Sequence, residues 1–288
     1  MKYYSLFFLL FFSFFTVVGQ TKKKDTLPTP KWKIHGRFAF IFNQSSFSNW
    51  RTGGVNTIAG NLNVNYDFNY KKKNINWDSR LITSYGLSHL EEQGWRKTDD
   101  RFEFNTLFGF KTSTYWFLSF IGNFRSQYSS GFDYKKEPKE TVSGFLAPAY
   151  LTFGPGMLWK KSDNLSLNIA PATARYTLVN DTFSGKYGVE EGRNTAFSLG
   201  YSLSGYYKFQ IMENILVENI LTMYTDYLSK VGNVDVDYQA NISFKVNKQI
   251  KTHLTFHAII DDNSSSKIQF RQLFGLGLNY SFHEKVSY

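Results

Sequence analysis

The chain has 288 residues, no cysteine and a formal net charge of +10 from 33 basic and 23 acidic residues, and its 29 Phe, 19 Tyr and 6 Trp raise the aromatic share to 19%. Disordered chains are poor in aromatics, so the composition excludes one. The missing thiol excludes a disulfide framework, a zinc–thiolate site and a cysteine nucleophile.

Residues 1–20 combine a basic start at Lys2, an apolar run from Ser5 to Val18 and a small-residue exit at Val18-Gly19. This pattern predicts a secretory signal peptide cleaved near Gly19 or Gln20. An anchor helix would want about 20 apolar residues. No cysteine follows, which excludes a lipid-anchored lipoprotein. Residues 21–33, basic and holding two prolines, are expected to be a disordered tail, with residues 34–288 as the folded domain. Beyond residue 20 no stretch approaches a transmembrane helix, and only helices and closed barrels satisfy every backbone group inside lipid.

The period of the apolar residues points to the barrel. Leu62, Val64, Tyr66, Phe68 and Tyr70 take one face of residues 61–70, and Asn61, Asn63, Asn65, Asp67 and Asn69 take the other. That is strict alternation over the length of a tilted membrane strand. Phe38, Phe40 and Phe42 mark the strand before it, and Trp77, Leu81 and Tyr85 the strand after. Further strands follow at Phe102–Phe110, Trp116–Phe124, Leu151–Trp159, Leu165–Ile169, Phe197–Phe209, Ile215–Met223, Val234–Val246, Ile250–Ile260 and Ile268–Phe282.

The opposite faces carry Asp78, Arg80, Glu103, Arg125, Lys245, Lys251, His253, His257 and Arg271 among Gly and Ser. Aromatics crowd the strand ends (Tyr70, Trp77, Phe110, Trp116, Trp159, Phe209, Tyr280), as in the interfacial girdle of an outer-membrane barrel. Tight links at 71–74, 111–114, 160–164, 210–214 and 247–249 alternate with longer ones at 44–54, 90–99, 129–148, 179–193, 229–233 and 262–267. Short turns belong on the periplasmic side and long loops outside. The expected fold is therefore all-β: a transmembrane antiparallel up-and-down β-barrel of about twelve strands with both termini periplasmic.

Several segments carry a resemblance: Phe42-Asn43-Gln44 with Phe47-Ser48-Asn49-Trp50 and Gly53-Gly54, Phe124-Arg125-Ser126-Gln127-Tyr128 with Gly131-Phe132, Phe145-Leu146-Ala147-Pro148, and Ile169-Ala170-Pro171. From about Trp32 to its end the chain resembles an uncharacterised outer-membrane family of the Bacteroidota, domain-of-unknown-function family 3078. The resemblance implies a location in the outer membrane of a Gram-negative bacterium. It implies no activity, substrate or catalytic residue.

No nucleophile elbow, phosphate-binding glycine loop or zinc-protease motif is present in the sequence. His253 and His257 would share a helical face, but on a strand they lie roughly 13 Å apart, too far for one metal ion. No cofactor, metal site or catalytic residue is expected. Asp226, Asp235, Asp237 and Asp261 fall at the outer ends of neighbouring strands and offer three readings: hydrolase carboxylates, a calcium site, or a lumen ion-pair network with Arg271 and Arg125. Lys71-Lys72-Lys73 and Lys160-Lys161 read as solvated turn residues. Nucleic-acid binding would need basic residues interleaved with exposed aromatics in one groove, whereas these aromatics are expected to meet lipid. Within the loop 44–54, Phe47 and Trp50 suggest either a constriction across the mouth or a loop packed on its own aromatics.

The residues expected at the lumen or mouth are Asn43, Gln44, Asn49, Trp50, Arg125, Gln127, Asp226, Asp235, Asp237, Asp261 and Arg271. Mixed charges on the inner face should pair across a lumen that twelve strands leave narrow. The expected function is a narrow channel or transport-type protein for small solutes. The alternatives are a surface or envelope-assembly component docking partners through its loops, and a barrel hydrolase using the acidic rim. The expected partners are the lipid bilayer, the barrel-assembly machinery during insertion and, under the docking alternative, an envelope protein.

Overall fold

The computed structural model describes residues 31–46, 55–91, 93–228 and 233–286. The expected signal peptide and most of the expected tail lie outside the described residues, as do Phe47, Asn49 and Trp50. The strands are β1 (Trp32–Ser45), β2 (Thr57–Lys72), β3 (Ile75–Leu90), β4 (Gly94–Lys111), β5 (Trp116–Ser126), β6 (Gly131–Asp133), β7 (Glu140–Ser143), β8 (Ala149–Ser162), β9 (Leu165–Leu178), β10 (Thr195–Met212), β11 (Ile215–Asp226), β12 (Val234–Lys245), β13 (Ile250–Asp261) and β14 (Ser265–Val286). Twelve of them form a closed antiparallel barrel in chain order, with β1 paired to both β2 and β14. Closure removes the unpaired edges that an open sheet would expose. β6 and β7 form a separate two-stranded sheet within the β5–β8 connection.

Alternation dictates which face is which. On β2, Leu62 is 48% exposed while Asn61 and Asp67 are buried, so the apolar residues point out and the polar ones point into the lumen. The same holds for Phe40 and Phe42 on β1, Phe108 and Phe110 on β4, and Phe274, Leu276 and Leu278 on β14, all exposed. Inverting a water-soluble protein in this way is stable only where hydrocarbon replaces water. The expected aromatic girdle stands at the turn end: Trp77 pairs with Tyr70, Trp116 pairs with Trp159, and Trp32 packs 5.0 Å from Tyr70. Trp32 and Lys33, placed in the tail by the sequence reading, open β1.

Two expectations about connections change. The link expected at 90–99 is mostly strand, because β3 runs to Leu90 and β4 starts at Gly94. Charged Arg96, Lys97 and Asp99 interrupt the apolar pattern there, and the ladder carries a bulge at Gly86 and Leu87, which hid the strand period. The shorter strands expected around residues 151–159 and 165–169 are each 14 residues long. A register shift between Phe153 and Met157 interrupts their ladder, where Pro155 and Pro171 have no N–H to donate. Beyond it the outward residues of β9 change parity from Ile169 to Ala174 and Tyr176, so period-2 counting lost the strand.

Glycines sit where backbones press together. A Cβ on Gly200 would lie 1.9 Å from the Thr225 carbonyl oxygen, and one on Gly154 would lie 2.4 Å from that of Ala172. Gly36 instead makes room for a ring: Phe282 lies over it, 5.8 Å from Tyr66 and 6.4 Å from Phe38.

Candidate functional site: the charged lumen and its mouth

Inward-facing side chains from opposite walls meet directly. Arg101 on β4 donates from Nη1 to Gln239 Oε1 on β12 at 2.8 Å, across strands six places apart in the closed ring of twelve. Arg80 on β3 reaches Glu218 on β11 at 3.8 Å, also six places apart. Arg125 on β5 donates from Nη1 to Asp237 Oδ2 on β12 at 2.8 Å. The inner face is therefore spanned at several heights, as mixed charges in a narrow lumen should be.

Each span is tied into neighbours. Arg80 also pairs with Asp67, which pairs with Arg37 at 3.3 Å. Tyr206 donates to Glu218 at 2.7 Å, and Arg80 stacks over the Tyr206 ring. Arg101 donates from Nε to Glu103 Oε2 at 2.8 Å, and Asn105 donates to Glu103 Oε1 at 2.7 Å. Asp237 bonds His257 Nε2 at 2.8 Å as well as Arg125, whose guanidinium lies over the Tyr150 ring. Nearer the turns, Lys160 bridges to Asp78 at 2.9 Å and to Asp163 at 3.2 Å.

The expected site residues divide among these arrangements. Arg125 and Asp237 meet. Arg271 pairs with Asp99 on β4, which also accepts from Asn61 at 3.0 Å. Asp235 pairs with Arg175 at 2.5 Å, and that guanidinium lies 3.6 Å from the Tyr224 ring centroid. Asp226 accepts the Leu228 backbone N–H, and Asp261 accepts that of Asn263, so both shape the chain leaving their strands. Gln127 donates to the carbonyls of Gly144 and Ala147 at 2.8 and 2.9 Å, pinning that turn. Asn43 donates to the Phe274 carbonyl at 3.4 Å, whereas Gln44 lies on the outward face of β1 opposite Ile58.

The carboxylates of Asp235, Asp261 and Asp262 come within 4.8 Å of one another, and Arg175 supplies a counter-charge beside Asp235. His257 bonds Asp237, but among the described residues no hydroxyl is hydrogen-bonded to His257. Arg101, Arg175, Glu218 and Asp99 carry much of the network and were not singled out by sequence reasoning. Arg175 lies past the Pro171 irregularity, and alternation counted back from Tyr176 would have turned it inward.

A cavity of about 660 Å³ runs inside the barrel. Lys33, Lys71 and Lys208 line it toward the turns, and Asp235 and Asp261 toward the loops. Ile82, Leu107 and Ile121 give its middle an apolar wall. At the loop end, the 127–148 and 179–194 connections pack on each other through buried Ala147, Val179, Phe183 and Val189. Tyr187 donates to the Val142 carbonyl, and Glu140 pairs with Lys136 and Lys186. Neither connection lines the cavity.

A search of the curated proteins finds no match. Among solved structures, the chain is similar to the COG4313 outer membrane channel from Pseudomonas putida F1 (7% identity, 92% of this chain and 100% of that one, TM-score 0.40). It is also similar to the translocator domain of the autotransporter NalP from Neisseria meningitidis (9% identity, 90% of each chain, TM-score 0.37). A third is the Ralstonia pickettii toluene transporter TbuX (7% identity, 90% of each chain, TM-score 0.29). Residues 42–132, which run from the end of β1 through β5 into β6, match the model of a protein family of unknown function, DUF3078.

Proposed function

We propose that the chain spans the outer membrane, with both termini on the periplasmic side, as a narrow, gated barrel that passes or takes up small polar solutes. One observation carries the reading: an apolar outer wall encloses a charged lumen whose opposite sides are joined by breakable hydrogen bonds and ion pairs rather than packed shut by hydrophobic side chains. Hydrocarbon accounts for the outside, and a solvated path accounts for the inside. The bridges at Arg101–Gln239 and Arg125–Asp237 make the resting barrel constricted, with opening requiring their exchange for water or solute.

Single-channel recording in planar bilayers tests this. Refolded wild-type barrel should give small or infrequent steps, and Arg101→Ala with Arg125→Ala should enlarge them or raise their frequency. If both proteins are folded and silent, the channel reading is wrong. A second reading, docking of an envelope partner, is favoured by Phe145 and Trp95, 64% and 63% exposed on the loop side. A partner that co-purifies with wild type and is lost with Phe145→Ser and Trp95→Ser would support it.

A further inference from the structure

Lys245 on β12 and Lys251 on β13 are direct cross-strand partners. They share the inward face with Asn241 and Thr255, which hydrogen-bond each other at 3.0 Å inside the lumen. Like charges placed directly opposite are destabilising. The charges acting on Lys251 are those of Arg37, Lys245 and Lys208, with no carboxylate among them.

The surroundings neutralise this group only in part. Lys208 faces Glu218 across the β10–β11 ladder, but Glu218 is already engaged by Arg80 and Tyr206. Arg37 reaches Asp67, which Arg80 also takes, and the buried Nε of Arg37 has no hydrogen-bond partner. Lys208, Lys33 and Lys71 line that end of the cavity together with Asp163, on whose carboxylate Lys33 and Lys71 act. Lysines that serve only solubility sit in turns, as Lys73 does. These stand on the inner face of strands, where a local cluster of like charges focuses the field.

We propose that the turn end of the lumen is an oxyanion-binding site in which Lys208, Lys245 and Lys251, with Arg37, hold the phosphate or carboxylate group of a small solute. Ammonium groups are compact charges with three donors each, suited to an oxyanion through charge-assisted hydrogen bonds. The like-charge pair is then a strained arrangement that an anion relieves. The inference deepens the reading of the barrel as one that works through its lumen, and names the class of solute.

Inorganic phosphate is the probe, used on the full chain refolded in detergent at neutral pH. Unfolding is followed by tryptophan fluorescence and gel mobility in sodium phosphate and in sodium chloride of equal ionic strength, and binding by calorimetry. Phosphate should raise the unfolding temperature above that in chloride, and the paired Lys245→Gln and Lys251→Gln variant should abolish the difference and weaken binding about tenfold or more. In chloride that variant should be at least as stable as wild type, because it removes the repulsion. The turn variant Lys72→Gln with Lys73→Gln should keep the full phosphate response.

Equal stability of wild type in the two salts would overturn the site, as would a phosphate response that survives in the Lys245/Lys251 variant. Destabilisation of that variant in chloride would show that the fold itself neutralises the pair, and would also overturn it. Bilayer recordings separate the two levels. A conducting barrel with no phosphate response sinks only the oxyanion site, and a silent barrel that binds phosphate sinks only the channel.

Discussion

The bridge between Arg125 and Asp237 allows the most direct test of the occluded lumen. Breaking a fully buried ion pair by removing one partner costs about 3–5 kcal/mol. Here the side chains keep 33% and 25% of their exposure, so solvent screens part of that, and about 2 kcal/mol is the appropriate scale. The two single substitutions should differ. Asp237→Asn leaves Arg125 near Arg101, with Glu103 the carboxylate shared by both and Asp261 acting on Arg125 alone. Arg125→Met leaves Asp237 still bonded to His257. Asp237→Asn should therefore be the more costly change, and the double variant should cost less than the sum, with a coupling of about 1–3 kcal/mol. Urea titration of the barrel in lipid vesicles, read by tryptophan fluorescence and by the gel shift of folded against unfolded chain, measures all four corners. Strict additivity, with coupling under about 0.5 kcal/mol, would mean that the two groups do not meet across the lumen.

Three further outcomes are expected. Gly200→Ala, whose new methyl would lie 1.9 Å from a backbone oxygen, should cost about 3 kcal/mol or block refolding, whereas Gly205→Ala, with its nearest neighbour at 3.7 Å, should cost about 1 kcal/mol or less in the same titration. Gln127→Ala removes the donor that holds both ends of the Gly144–Ala147 turn, so trypsin should cut faster at Lys135, Lys136 or Lys139 while the barrel core resists. The Glu140 carboxyl is held below the usual value of 4.5 by its hydrogen bond to Lys136, aided by the charges of Lys136 and Lys186. The contribution of that cluster is present above the unfolded value and lost as pH falls through the lowered one, so acid should speed hydrogen exchange in the β6–β7 hairpin before it affects the barrel strands.

The sequence by itself determined the class of fold and the sidedness of nearly every strand. Leu62 to Tyr70 against Asn61 to Asn69 shows why: alternation is a local property, readable wherever a strand is straight and one face must meet a uniform solvent. It failed where that solvent changes or the ladder breaks, as at residues 90–99, where the strands carry charged residues, and at Pro171, where a bulge shifts the parity. Inward charge was legible for Asp67, Arg80, Glu103 and Asp237, but apart from Arg125, offered to the acidic cluster, its partners were not. Glu218 became Arg80's acceptor, Gln239 met Arg101, and Asp235 went to Arg175, because only closure and stagger of the barrel decide which residues face each other across the lumen. Lys245 and Lys251 reverse the expectation of pairing for the same reason. Their register sets two lysines side by side, and no neighbouring residue in the sequence announces it.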